Sequence, residues 1–323
     1  MILNITNTLI KTLITSNYHA FNVVPIPHRV GIFIGTDSLS HPCLFVEAQE
    51  KLDEPSLRTN LVLLQTNTLF RLTMPDGSQK TGVFHSLICE SIDQSDKSAF
   101  LDSIEAFLSQ NKNLLSAIQN IVPFFRSLIR LFAISPAKDL ENERKGLWGE
   151  LFLMREIKGY KFWVPFWHSE VTRTFDFTER EKKLEIKTSS GGERIHHFSH
   201  NQIFTLNQDK ILIVSILVEN DEIGLSLRQL INDCKAEIFD TPYYLKLEKS
   251  IRYSGMNNSS ESGPKYNLNS AKQKISWFQS IDVPHFCLPE PPGVSNTTYR
   301  VDLSRAPKLG VDGINNWLDS WSQ

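Results

Sequence analysis

The sequence predicts an α/β protein whose mixed α/β domain lies at residues 137–240. A β-rich domain at 1–93 and a helical connector at 94–136 are expected before it, and a C-terminal extension at 241–323 after it. Short apolar runs separated by turn residues predict the strands of the first region, and apolar residues at helical spacing predict the connector. From residue 137 the segments alternate in the order α-β-β-β-α-β-α, which is typical of a compact α/β domain.

The composition is that of a globular protein. The chain has 323 residues, of which 41% are hydrophobic and 22% charged, so disordered, fibrous and coiled-coil classes are excluded. With 34 basic and 36 acidic residues the net charge is −2, which excludes a protein that coats nucleic acid by bulk charge but allows a local basic cleft. The N-terminal residues 1–21 interrupt their apolar positions with Asn, Thr and Lys, which predicts neither a signal peptide nor a membrane helix.

The cysteines indicate a reducing compartment. Cys43, Cys89, Cys234 and Cys287 form no C-x-x-C pair, so neither a disulfide framework nor a structural zinc site is expected. We expect buried free thiols in a cytoplasmic protein.

Individual elements follow from local patterns. The strands expected in the β-rich domain are 31–35, 43–48, 61–65 and 70–74. Pro123 is expected to kink or divide the second helix of 94–136, and Ser135-Pro136 to end it.

In the α/β domain, a helix is predicted at 139–158, strands at about 161–167, 172–178 and 183–189, a short helix capped by Ser199, a buried strand from Lys210, and a helix at 225–238. The extension is expected to contain a strand at 243–253, a polar loop at 257–265, a strand before Leu303 and a short terminal helix.

The most informative residues are two acids and a lysine in adjacent apolar strands. Asp176 lies in Phe-Asp-Phe, and Glu185 and Lys187 lie in Leu-Glu-Ile-Lys. Residues i and i+2 of a strand share a face, and a hairpin turning at Arg180-Glu181 would place Asp176 opposite Glu185. Such carboxylates suit a hard divalent cation such as Mg²⁺, and the lysine can orient water or stabilise charge on a phosphoryl oxygen. The alternative is a chance acid–x–Lys pattern on an exposed strand.

A third acid lies on a predicted helix. Glu150 shares one helical face with Leu147, Leu151 and Met154, so its carboxylate lies on the apolar stripe and needs a partner. That partner could be a metal, Lys187, an arginine or a backbone donor. The small residues Gly146 and Gly149 favour close helix packing.

A helix that carries Glu, followed by a hairpin with D…E-x-K, resembles the PD-(D/E)XK nuclease superfamily, which has the restriction-endonuclease-like α-β-β-β-α-β fold. The segment at 145–205 resembles the group of PD-(D/E)XK motif proteins associated with restriction–modification and phage-defence genes. Phe175 replaces the usual proline. The resemblance implies that Asp176, Glu185 and Glu150 are metal ligands and Lys187 the catalytic lysine. It also implies that Gln202 lines the site, although a surface glutamine is the alternative.

The resemblance implies an Mg²⁺-dependent DNA endonuclease, with Mn²⁺ as an alternative cofactor. A type II restriction enzyme or the nuclease of a defence system is expected, acting on double-stranded DNA as a homodimer or with other restriction or defence subunits. The alternatives are a non-catalytic DNA-binding or assembly subunit, and a nickase or repair nuclease.

The loop after the E-x-K strand is polar. Ser189, Arg194, His196 and His197 could donate to DNA phosphates, with His200 nearby, and an ordinary polar loop is the alternative. Trp163 and Trp167 are expected to pack in the core rather than to stack on bases.

Overall fold

The computed structural model describes residues 21–168, 174–204, 210–257 and 261–321. The chain forms two compact units. Unit 1 combines the residues up to Ser135 with Phe239–Arg252, and unit 2 combines Pro136–Ile238 with the residues from Tyr253 onward. Unit 2 is therefore interrupted in sequence by a segment of unit 1.

Helices and strands are numbered in chain order within the described residues. The helices are α1 (Gln94–Gln110), α2 (Leu114–Phe132), α3 (Leu140–Glu156), α4 (Tyr160–Trp163), α5 (His200–Ile203), α6 (Leu227–Ile238), α7 (Tyr244–Tyr253), α8 (Leu268–Gln273) and α9 (Val311–Asp319). The strands are β1 (Phe21–Pro25), β2 (Ile32–Thr36), β3 (Pro42–Glu47), β4 (Leu57–Arg58), β5 (Val62–Thr73), β6 (Gln79–Cys89), β7 (Phe177–Glu179), β8 (Lys182–Ser189), β9 (Ile195–Ser199), β10 (Lys210–Leu217), β11 (Asn220–Ser226), β12 (Lys265–Tyr266), β13 (Ile275–Gln279) and β14 (Thr298–Asp302).

Unit 1 is built on a sheet with the strand order β1-β2-β3-β6-β5-β4, in which β1 also pairs in parallel with β5. The β-rich character predicted for the N-terminal region is confirmed. The two strands expected at 61–65 and 70–74 are one long strand, β5, whose ladder with β6 shifts register between Gln65 and Thr68. A local irregularity of this kind allows one strand to continue where the sequence pattern is broken.

The helices at 94–136 belong to this unit rather than forming a separate connector. One apolar core contains Leu44 and Leu87 from the sheet together with Phe107 of α1 and Phe125 of α2. Helix α2 continues through Pro123, so the predicted division does not occur. Residues on both sides of that proline are buried in the same core, which holds the helix in place.

The segment at 243–253 is helix α7, and the prediction of a strand there was wrong. Tyr244, Leu247 and Ile251 are buried, and their spacing of three and four residues is helical. The local alternation of apolar and polar residues was compatible with either structure.

Unit 2 contains a sheet with the order β13-β10-β8-β7, in which β8 and β10 are parallel. Along the chain the elements follow the order α3, α4, β7, β8, β9, α5 and β10, so helix α4 lies where the first strand was predicted and β9 is a strand that was not predicted. Strand β9, however, pairs with β14, and β13 completes the main sheet. The mixed α/β class is thus confirmed, while two strands of the expected C-terminal extension are integral to unit 2.

The strand predicted at 161–167 is also wrong. Helix α4 begins at Tyr160, and Tyr160, Trp163 and Val164 are buried at helical spacing. The residues 1–20, the start of the strand predicted at 172–178 and the middle of the loop at 257–265 lie outside the described residues.

The cysteines are free thiols, and three of them are buried as predicted. Cys287 is exposed, which corrects the expectation for that residue. Among the described residues, no helix has the length and apolarity to cross a membrane.

Candidate active site

The hairpin that carries the acids turns where the sequence predicts. Phe177 pairs with Leu184 and Glu179 with Lys182, which leaves Arg180 and Glu181 in the turn. Arg180 has φ of 52°, in the left-handed region that tight turns use. Asp176 directly precedes β7, and its Oδ2 accepts a hydrogen bond of 2.7 Å from the backbone N–H of Ile186. This bond fixes the Asp176 carboxylate beside the middle of β8.

Glu185 and Lys187 lie on the same face of β8 and form an ion pair. Lys187 Nζ is 2.7 Å from Glu185 Oε1. The same oxygen accepts a hydrogen bond of 2.6 Å from Gln202 Nε2. Glu185 is only 3% exposed, and its Oε2 is buried with no hydrogen-bond partner in the described part of the chain. One oxygen of this carboxylate is therefore held by two donors and the other is left to accept a ligand.

Gln202 connects the short helix α5 to the hairpin. Its Oε1 accepts a hydrogen bond of 3.1 Å from the backbone N–H of Ser199, the N-cap residue of α5, and lies 3.3 Å from Lys187 Nζ. Its Nε2 donates to Thr174 O as well as to Glu185. The Ser-x-x-Gln spacing of a capping box thus fixes the amide group that orients both the acid and the lysine.

Glu150 reaches the same region from helix α3. A Cβ atom at the neighbouring Gly149 would lie 1.9 Å from Thr188 Oγ1, so only glycine allows α3 to pack this closely on β8. A Cβ at Gly146 would meet nothing within 4 Å, so the packing role expected for both glycines applies to Gly149. Trp167 Nε1 donates a hydrogen bond of 2.6 Å to Glu150 Oε2.

Trp167 was missed as a site residue because its ring was expected only to pack. The ring is buried, as predicted, but the indole N–H is also the hydrogen-bond partner of Glu150 among the described residues. Within the described part of the chain, Glu150 forms no ion pair with Lys187 or an arginine, which were the alternatives. The need for a partner on the apolar stripe was the signal that could have pointed to an indole donor.

The carboxylates repel one another in a poorly solvated pocket. Burial raises the pKa of Asp176 well above its ordinary value, and the charges of Glu185 and Glu150 raise it further. Burial also raises the pKa of Glu185, although Lys187 opposes the shift. The pKa of Glu150 is about 8, because burial outweighs the hydrogen bond from Trp167.

Lys187 remains positively charged in this pocket. Burial alone would favour the neutral amine, but the attraction of the three carboxylates, Glu185 foremost, outweighs it and raises the pKa of Lys187. The ionised group of three acids and one lysine would carry an excess of negative charge, which a cation bound to the carboxylates would offset.

The donor set fits a hard divalent cation. Asp176 and Glu150 each have one oxygen held by a donor, and Glu185 presents a buried oxygen without a partner in the described residues. Carboxylate oxygens are the ligands that Mg²⁺ prefers. In the described ranges, however, no three or more His, Cys, Asp or Glu side chains lie together in a group that could hold a metal ion, so the three acids do not form a ready-made set of ligands.

Two of the residues expected to bind DNA have structural roles instead. Arg194 is buried, and its guanidinium donates to Ser215 O, Ser215 Oγ and Lys274 O. His196 is buried with Nε2 2.7 Å from Ser215 Oγ, and burial lowers its pKa to about 3. Neither group is available to a phosphate, so both predictions are wrong. The neighbouring His200 is also buried.

The other two residues that were expected to bind DNA, His197 and Ser189, lie nearer to solvent. His197 is exposed, but it lies on the face of β9 opposite to Phe198, whose ring is 5.1 Å from Lys187 Nζ. It therefore points away from the acids. Ser189 ends β8 on the strand that carries Glu185 and Lys187, and its half-buried side chain accepts a hydrogen bond from Gly191 N. Ser189 remains a candidate for phosphate contact.

Comparison with known proteins identifies the family. No curated protein and no solved structure matches the chain. A family profile described as "Putative PD-(D/E)XK family member" (DUF4420) matches residues 9–304. The match spans most of the chain and includes every residue of the candidate site, in agreement with the resemblance found in the sequence. The chain therefore belongs to the DUF4420 family.

Proposed function

We propose that unit 2 is a metal-dependent nuclease that hydrolyses phosphodiester bonds in DNA. The observation that carries the proposal is the convergence of Asp176, Glu185 and Lys187 on one pocket, where Glu185 Oε2 is buried without a partner in the described residues. A buried polar oxygen left without a hydrogen bond is costly unless it binds a ligand. If the salt bridge between Glu185 and Lys187 served only to stabilise the fold, there would be no reason to bury two further acids with raised pKa values beside it.

Asp176, Glu185 and Glu150 would hold the cation, Mg²⁺ or Mn²⁺. When bound, such a cation lowers the pKa of coordinated water and offsets negative charge on a phosphoryl oxygen. Two of the three acids come from neighbouring strands and the third from α3, so the site depends on the packing of that helix on β8. Trp167 and Ile186 N each fix one carboxylate through a hydrogen bond.

Lys187 supplies the positive charge next to the substrate. Its ammonium group can orient the attacking water and stabilise the charge that develops on the phosphate. Gln202 holds Lys187 and Glu185 in one arrangement through both atoms of its amide. Because these donors are already in place, little reorganisation is needed when the substrate binds.

The biological role proposed for the protein rests on the family resemblance rather than on the geometry of the site. We propose a restriction or phage-defence role for the protein in the cytoplasm. The two strands of a DNA duplex run in opposite directions, so two copies related by a twofold axis would present one site to each strand. A homodimer is therefore the form proposed for double-strand cleavage.

The test is cleavage of unmodified plasmid DNA by the full chain in Mg²⁺, in Mn²⁺ and in EDTA. Wild type should cut with either cation and not in EDTA, whereas Asp176→Asn should be inactive but folded. Asp312→Asn, at an exposed position of α9, is the matched control and should cut like wild type. DNA affinity of Asp176→Asn should be retained or increased, because one negative charge facing phosphate is lost.

Two results would contradict the proposal. Full activity of Asp176→Asn would remove the assigned site, and tight DNA binding by wild type without cleavage under any of these conditions would instead support a non-catalytic DNA-binding subunit.

A further inference from the structure

The loop at residues 284–297, here named the apolar loop, exposes side chains that usually lie inside a protein. Phe286 is 72% exposed and Leu288 is 75% exposed. Proline occupies positions 284, 289, 291 and 292, and each proline fixes one backbone angle. The apolar loop is thus stiffened by its composition, and ordering it on a ligand costs little conformational entropy.

The apolar loop is attached to the helix that serves the candidate active site. Thr297 O accepts a hydrogen bond of 2.8 Å from His200 N, and Tyr299 Oη lies 2.5 Å from His200 Nδ1. The Phe286 ring is 5.8 Å from the Tyr299 ring, which in turn is 5.8 Å from the His200 ring. His200 begins α5, and Gln202 of the same helix contacts Glu185.

These contacts connect Phe286, through Tyr299, to the short helix that carries Gln202. The chemistry of the apolar loop suits bases rather than phosphates. It contains no lysine or arginine, and its carboxylate, on Glu290, accepts a hydrogen bond of 2.7 Å from Thr297 N. Its two most exposed large apolar side chains are the aromatic ring of Phe286 and the aliphatic chain of Leu288, with Val294 exposed to a smaller extent.

We propose that Phe286 and Leu288 contact the bases of the DNA beside the scissile phosphodiester, by stacking on a base or by inserting between two base pairs. The inference rests on the proposed nuclease function and names the surface that holds the substrate next to the site. Apolar side chains inserted at a base step unstack it and bend the duplex, and aromatic rings stack on any base. The apolar loop would therefore select sequences that unstack easily.

The test measures DNA affinity in a background that does not cut. In full-length Asp176→Asn with Mg²⁺, fluorescence anisotropy of a labelled duplex compares Phe286→Ala, Phe286→Trp and Leu288→Ala. The matched control is Ile223→Ala in unit 2, because Ile223 is 96% exposed but lies on β11. Phe286→Ala should bind about 5- to 150-fold more weakly, Phe286→Trp should retain affinity, and Ile223→Ala should match the parent.

A second readout uses Cys287, which lies between the two residues and is exposed while the other cysteines are buried. DNA should slow alkylation of Cys287 in the parent protein and in Ile223→Ala, and much less in Phe286→Ala.

The outcomes separate the two proposals. A parent that binds no DNA would refute the proposed function and this inference together. If the parent binds DNA, and every variant shows the same DNA affinity and the same Cys287 protection as the parent, the inference alone is refuted. Loss of dimerisation in Phe286→Ala with unchanged DNA affinity would also overturn it, and would assign the apolar loop to contact between two copies of the chain.

Discussion

Trp167→Phe isolates the hydrogen bond that holds Glu150. The substitution keeps an aromatic ring in the core but removes the indole N–H that donates to Glu150 Oε2 over 2.6 Å. That bond lowers the pKa of Glu150, which burial nevertheless raises to about 8. Without it the carboxyl group will be protonated more completely near neutral pH, and a protonated acid is a poor metal ligand.

The expected shift in the pKa of Glu150 follows from the strength of the hydrogen bond that is removed. A hydrogen bond to a charged group contributes about 1.5–3 kcal/mol. Each 1.36 kcal/mol corresponds to about one pKa unit, so the pKa of Glu150 should rise by about 1–2 units. Cleavage at pH 7 should therefore fall about 10- to 100-fold and recover partly as the pH is raised, because a higher pH ionises Glu150 again.

The assay is plasmid cleavage in Mg²⁺ between about pH 6.5 and 9.5, the range that spans the expected shift. Trp163→Phe is the matched control: Trp163 is also fully buried, and its Nε1 also donates over 2.6 Å, but to Ile157 O. Both variants should lose similar stability, and only Trp167→Phe should show activity that recovers with pH. Identical pH profiles for the two variants would refute the role given to this bond.

Three further outcomes are expected. Lys187→Ala should lower the cleavage rate about 100-fold or more while Mg²⁺ affinity changes little, and a parallel loss of both would show that the lysine acts through structure. Gly149→Ala should lower the free energy of unfolding by about 1–3 kcal/mol because its Cβ overlaps Thr188 Oγ1, whereas Gly146→Ala, with open space, should raise it by up to about 1 kcal/mol in urea titrations. Wild type should lose stability as the pH falls from 6.5 towards 3, because the folded state holds His196 neutral while the unfolded state protonates it, and His196→Gln should lose less over that window.

The sequence predicted well what depends on neighbours along the chain. The hairpin of β7 and β8 follows from two apolar runs around a short turn, and its register places Asp176 beside Glu185 without further information. The N-cap at Ser199 and the buried strand β10 were likewise readable from local pattern. A segment whose apolar residues fit both a strand and a helix could not be assigned from the local pattern. The residues of α7 are such a segment, and they are helical because tertiary burial selects the 3.6-residue period.

The features that could not be predicted from the sequence depend on contacts between distant segments of the chain. The burial of Arg194 and His196 depends on Ser215, about twenty residues away, and on the carbonyl of Lys274. A polar loop and a set of buried structural donors have the same composition, so the sequence could not separate them. The role of Trp167 was hidden for a similar reason, since an indole can pack and donate at the same time.

Strand β14 determines when the candidate site can be completed during synthesis. Ile195 of β9 pairs with Asp302, and His200 N at the start of α5 donates a hydrogen bond to Thr297 O in the same C-terminal segment. A nascent chain that has not reached residue 302 contains the acids and the lysine but lacks the partner strand of β9, the strand that leads into α5 and Gln202. Prematurely terminated or proteolysed products therefore carry the candidate site residues without the β9–β14 pair, and the candidate site has its complete surroundings only after β14 has folded onto β9.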